Sequence, residues 1–177
     1  MNHKIIMDTN VAVKAATPQQ DCKEEEWEMR KICVDFIQNL TKNPESKLVL
    51  DLDYEIIKEY RNRIPKNTNE GLIFWRWFDT YIGRISFEDF IKLDKDADGN
   101  YRMFPLEERT KEFDLSDRKF VALSRTHSEH PPIVEAADGK WFGFKDVFEE
   151  YGVHIDFLDG GYAAMMYNRK VADKRRS

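Results

Sequence analysis

Two cysteines, six prolines and eight glycines are all that 177 residues contain of those types, and each scarcity excludes something. Cys22 and Cys33 lack metal-ligand spacing. In the one helix read for this region they stand too far apart along its axis to bond each other. That pattern suits a reducing compartment. No glycine-rich phosphate loop is present. No apolar run reaches the roughly 20 residues needed to cross a bilayer, and the N-terminus carries no long apolar leader segment. The expectation is a cytoplasmic protein with no membrane attachment. A basic excess is also missing: the formal net charge is −5. That excludes a generally basic nucleic-acid coat, but leaves room for an acidic site flanked by local basic patches. No serine or cysteine stands with a suitable histidine for nucleophilic catalysis.

What is present begins with Lys4-Ile5-Ile6-Met7-Asp8-Thr9-Asn10. Three consecutive apolar residues fit a strand buried on both faces of a parallel sheet. Asp8, Thr9 and Asn10 then fall at its C-terminal edge, where open α/β sheets hold their ligands. A plain turn is the competing reading, since Asp and Asn are ordinary turn residues. A helix is expected from about Cys22 to Leu40, its apolar stripe running through Met29, Ile32, Cys33, Phe36, Ile37 and Leu40. Glu24, Glu25 and Glu26 suit its first turns. Lys47 to Leu52 reads as a second strand, and Asp53 to about Arg63 as a helix stopped before Pro65. On that helix Glu55 and Glu59 share a face.

Asn69 to Arg84 is an aromatic helix carrying Phe74, Trp75, Trp77, Phe78 and Tyr81. Core or subunit contact is the ordinary role for such residues, and base stacking by Trp75 or Trp77 the alternative. Asp94 to Asn100 imitates the start of a calcium loop, but the twelfth position is Pro105 rather than a bidentate Glu, so a surface turn is expected. Asp117 to about His127 reads as a helix and Pro132 to Ala137 as a strand. Asp138-Gly139-Lys140-Trp141 follows, then a short helix to Gly152 and a last strand, Val153 to Leu158. Residues 168–177 form a basic tail.

The alternation of strands and helices implies parallel strands with crossover helices. The fold class is α/β, a three-layer α/β/α arrangement with a central parallel sheet. One domain is expected over residues 1–167, with an aromatic helical insert and loop at 69–105. Four acids fall at strand ends or on the intervening helices: Asp8, Glu59, Asp117 and Asp138.

These features together resemble the PIN-domain family of nucleases. The resemblance is carried by the buried strand ending in Asp8-Thr9-Asn10, by Glu59-Tyr60, by Phe113-Asp114-Leu115-Ser116-Asp117-Arg118-Lys119-Phe120-Val121-Ala122, and by Ile133-Val134 leading to Asp138-Gly139-Lys140-Trp141. It implies a Rossmann-like PIN fold and metal-dependent cleavage of RNA phosphodiesters. Asp8, Glu59, Asp117 and Asp138 would be the catalytic, metal-holding quartet, with Thr9 or Asn10 supporting Asp8. Lys140 stands where the family often has a further acid, and Glu55 competes with Glu59.

The cofactor so implied is Mg2+ or Mn2+, which would relieve carboxylate repulsion and activate a water. Arg118, Lys119 and Lys140 are candidates for holding substrate phosphate, or are ordinary surface charges. The expected partners are an RNA substrate and an antitoxin or other protein, as in toxin–antitoxin pairs, with a homodimer as one arrangement. The expected function is a Mg2+/Mn2+-dependent endoribonuclease, of toxin or RNA-decay type. The alternative is a non-catalytic PIN-like module that binds RNA or a protein through the aromatic insert.

Overall fold

The computed structural model describes residues 3–174. Its centre is a parallel sheet in the order β2-β1-β5-β6, formed by β1 (His3–Met7), β2 (Ser46–Leu48), β5 (Ile133–Glu135) and β6 (Ile155–Phe157). β3 (Leu50–Asp51) continues the line of β2 after one residue and pairs in parallel with β4 (Phe90–Ile91). Ile6, Met7, Leu48, Leu50 and Ile133 are fully buried, as the unbroken apolar runs predict for strands covered on both faces.

The chain leaves β1 toward β2 in one direction and β5 toward β6 in the other. Right-handed crossovers place the connecting helices on opposite faces of such a sheet. The switch between β1 and β5 then opens a crevice at their C-terminal ends. The register pairs Ile6 with Ile133 and Met7 with Val134, so the next residues, Asp8 and Glu135, emerge side by side at that crevice.

The helices are α1 (Thr9–Ala16), α2 (Trp27–Lys42), α3 (Glu55–Arg63), α4 (Asn69–Ile82), α5 (Arg118–Thr126), α6 (Gly139–Glu150) and α7 (Gly160–Lys174). α2 buries Met29, Cys33, Ile37 and Leu40, most of the expected stripe. It starts later than its sequence suggests, because Gln19–Asp21 and Glu24–Glu26 form single 3-10 turns. The same core continues under α5 and α6 through Phe113, Phe120, Trp141 and Phe148, with Phe113 edge-on to Trp141 at 4.8 Å. In that packing α6 and α7 come very close. A Cβ added at Gly139 would stand 2.6 Å from the Tyr167 backbone nitrogen.

Two helices were not legible in the sequence. α1 begins immediately after β1, its N-terminus capped by Asp8, whose Oδ1 accepts from the Asn10 N–H at 2.7 Å. α7 begins at the glycine pair Gly160-Gly161 and carries residues 168–174 of the expected tail in helical form. Arg175 and Arg176 lie outside the described residues. The calcium-like segment is a hairpin, bridged between Lys95 and Tyr101. Within it Asp96 accepts from the Asp98 and Asn100 N–H groups. No helix among the described residues is long and apolar enough to cross a membrane.

Candidate functional site

Acids gather at the switch crevice, all but Glu59 placed there by a strand end or a helix start. Asp8 follows β1, Glu135 ends β5, Asp138 caps α6 through the Lys140 N–H, and Asp117 immediately precedes α5. Glu59 reaches in from α3 and accepts from Thr9 Oγ1 at 2.6 Å. That bond separates Glu59 from Glu55, which is held elsewhere by Lys95 at 2.6 Å and by the Tyr101 hydroxyl. Thr9 supports Glu59 rather than Asp8, while the Asn10 backbone supports Asp8.

Burial controls the charge state of this edge. Asp8 is enclosed, and desolvation pushes its carboxyl well above the usual range; Glu135, Asp117 and Glu59 push it further. Glu135 is pushed up to about 7, first by burial, although the Asp138 N–H donates to its Oε2 at 2.7 Å. Its other oxygen, Oε1, is buried without a hydrogen-bond partner. Asp117 is pushed up to about 6 by burial and by Asp114. Such surroundings favour the protonated form of each carboxyl.

The chain also supplies its own cations. Lys119 is buried and places Nζ 2.5 Å from Glu59 Oε2, while donating to the Ser116 carbonyl. Lys170 Nζ lies 3.0 Å from Asp138 Oδ1, and Lys140 Nζ lies 3.0 Å from Asp114 Oδ2. Arg63 donates to the Asn10 side chain at 3.2 Å. The carboxyls are therefore drawn toward separate partners.

This arrangement corrects the expected metal centre. Among the described residues no three His, Cys, Asp or Glu side chains converge so as to hold a metal ion. The four-carboxylate Mg2+ or Mn2+ site expected at Asp8, Glu59, Asp117 and Asp138 is overturned, and with it the metal-dependent endoribonuclease built on it. The physical reason is geometric: Glu59 is turned to Lys119 and Thr9, Asp138 to Lys170 and the Lys140 N–H, and Asp8 to the Asn10 N–H, so the four carboxyls do not face one common point.

The suggested phosphate-holding cations are similarly engaged. Arg118 is buried, donates to the Lys111 and Phe113 carbonyls, and lies over the Phe104 ring at 4.7 Å. Lys119 is committed to Glu59, and Lys140, half-exposed, pairs with Asp114.

Glu135 is the residue that sequence reasoning missed. Its signal is the repetition of an apolar pair followed by an acid, Ile6-Met7-Asp8 and Ile133-Val134-Glu135; the apolar Ala136 and Ala137 mask it by extending the apparent strand, which ends at Glu135.

The aromatic helix divides its side chains between core and surface. Phe74 and Phe78 are buried and stack at 5.2 Å. Trp75 is only 7% exposed, and its indole N–H donates to the Ile64 carbonyl. Trp77 and Tyr81 are half-buried and stack on each other at 5.0 Å, with 12° between their planes. The Tyr81 hydroxyl donates to the Leu48 carbonyl at 2.6 Å, which ties this pair to the sheet.

Comparison of the chain with protein-family models, with curated proteins and with solved structures finds no match. The functional reading therefore rests on the geometry.

Proposed function

We propose that the protein is a non-catalytic PIN-like module that binds RNA through its aromatic insert. The observation that carries this reading is the Lys119–Glu59 pair in the crevice. A buried ammonium at 2.5 Å from the carboxylate fills the electrostatic role of a cation from within the chain. The α/β/α scaffold and its acidic switch crevice support the PIN-like assignment. The half-buried aromatics of α4, together with neighbouring lysines and arginines, support RNA as the partner, because stacking surfaces beside cations are how single strands are held.

The test is fluorescence anisotropy with a labelled single-stranded oligoribonucleotide, followed by electrophoresis of the same RNA. Wild type and Asp8→Asn are expected to bind equally and to return the RNA intact. Cleavage that Asp8→Asn abolishes would restore the enzyme and defeat this proposal.

A further inference from the structure

A cleft of about 370 Å³ runs between the C-terminal end of α2, the start of β2 and the second half of α4. Its lining includes Lys42, Lys47 and Arg84, the Trp77–Tyr81 pair, and no acidic residue. In a chain with a formal net charge of −5, three cations without an acid are a local inversion of sign. Among the described residues the Lys42 ammonium donates only to the neutral Gln38 side chain, at 3.3 Å. Arg84 has no ion-pair or side-chain hydrogen-bond partner among the described residues. Lys47 stands 3.8 Å from Asp89, but Lys4 at 2.9 Å and Ser86 at 2.7 Å already hold that carboxylate. All three cations can therefore turn to an incoming anion without uncovering a buried charge.

We infer that this cleft is the seat of a single-stranded RNA, whose phosphates lie against Lys42, Lys47 and Arg84 and whose base packs on the Trp77–Tyr81 wall. The inference rests on the RNA-binding reading above and locates it on one side of α4. Lys42 and Arg84 also offset the dipoles at the C-terminal ends of α2 and α4, but that role needs neither Lys47 nor a half-exposed aromatic pair.

A second basic depression, lined by Arg61, Lys66 and Arg76, flanks α4 on the α3 side. It suits a strand less well. Asp79 lines it, Trp75 is buried, and Lys66 already covers the Trp75 ring at 5.1 Å. An acidic peptide would satisfy the cations of the first cleft, but would leave the flat aromatic pair unused.

Anisotropy with labelled oligo(U) of about fifteen nucleotides, a length that spans such a cleft, gives the test across a salt series. The logarithm of the binding constant should fall with the logarithm of salt with a slope of about −2, for three phosphate contacts on a single strand. Lys42→Gln combined with Arg84→Gln, both exposed positions, should weaken binding at least about tenfold and bring the slope to about −0.7. Trp77→Leu should weaken binding about tenfold with little change of slope, from the lost stacking. Thermal unfolding of each variant shows that the fold is kept, and the charge variant decides the matter if Trp77→Leu unfolds.

Undiminished oligo(U) binding by a folded Lys42→Gln/Arg84→Gln protein would overturn the inference and leave the RNA-binding reading standing. So would a loss confined to Arg61→Gln/Lys66→Gln. Displacement of the RNA by poly-glutamate at equal charge concentration, with Trp77→Leu indistinguishable from wild type, would overturn it in favour of an acidic protein partner. Absence of oligo(U) binding by the wild type would overturn both readings.

Discussion

Buried Lys119 and partly exposed Glu59 form an ion pair, Nζ to Oε2 at 2.5 Å, where α5 begins beside α3 and the end of β1. It joins two segments separated by a long stretch of chain and fixes the electrostatic character of the crevice. Removing Lys119 leaves Glu59 with only Thr9 Oγ1 at 2.6 Å and Arg63 at 3.5 Å, which costs about 3 kcal/mol, the low end for breaking a pair of this kind. Lys119→Met should therefore lower Tm by roughly 10 °C. The double variant Lys119→Met/Glu59→Gln should recover most of that loss. A double-variant Tm no higher than that of Lys119→Met would refute the pairing.

The raised carboxyls set the pH dependence of stability. Glu135 is held near 7 and Asp117 near 6, and Asp8 is raised in the same direction. Below their ordinary carboxyl values these groups are protonated in both folded and unfolded chains. As pH rises from about 4.5 through 7, the unfolded chain loses its protons first, so stability falls. Asp114, held down to about 2 by the Ser116 N–H and by Lys140, works in the opposite sense: its contribution is full above the ordinary carboxyl range and is lost as pH falls from there through 2. The Tm should peak near pH 5 and drop by roughly 5 °C or more toward pH 8. Glu135→Gln should flatten that decline and stand above wild type at pH 8. Calorimetry across pH 4–8 reads both effects, and a Tm that climbs from pH 5 to 8 would contradict the assignment.

Divalent ions should leave the protein unchanged. With no three converging ligands among the described residues, millimolar Mg2+ or Mn2+ should shift Tm by less than about 1 °C relative to EDTA, since a ligand stabilises only in proportion to its occupancy of the folded state. A saturable upward shift that Asp8→Asn removes would show that the crevice can open to a metal.

At the opposite edge of the sheet, Lys4 is buried against Asp89 at 2.9 Å and Glu129 at 2.5 Å. His127 Nδ1 accepts from the Glu129 N–H at 3.0 Å, which leaves its Nε2 as the side facing Asp89. This cluster ties the segment around β4 to β1. Lys4→Met should destabilise by about 3 kcal/mol, because buried Asp89 then keeps only Ser86, His127 and the more distant Lys47, and Lys4→Met/Asp89→Asn should lose less. Chemical denaturation measures both.

The close approach of α6 and α7 depends on a missing side chain. Gly139→Ala forces a Cβ against the Tyr167 backbone, which cannot rotate away. Overpacking of this kind costs about 1–3 kcal/mol. Hydrogen exchange should show the loss in α7 before it reaches the central sheet, and uniform exchange throughout the chain would argue against that local origin.

The sequence by itself determined the parts governed by local periodicity and burial. The apolar run Ile5–Met7 specified a doubly covered strand, the stripe from Met29 to Leu40 specified α2, and Pro65 specified the end of α3. The alternation of these elements specified a parallel α/β/α fold. It also brought Asp8, Asp117 and Asp138 to one edge, because residues at strand ends and helix starts inherit the direction of the sheet, while Glu59 reaches that edge from the middle of α3. α1 escaped notice because Asp8-Thr9-Asn10 has the composition of a turn, and only the packing of Val11 and Ala12 makes it a helix start. α7 escaped because a glycine pair opens it.

What the acids do was decided by tertiary structure alone. Carboxylates attract whichever cation is nearest in space, and spacing along a chain does not say whether that is a metal or a lysine. Folding buried Lys119 beside Glu59, enclosed Asp8 with Glu135 until burial favours their protonated forms, and sent Lys170 to Asp138. The same docking split α4 into Trp75 for the core and Trp77 for the cleft, a division set by the faces that α2, α3 and β2 happen to cover.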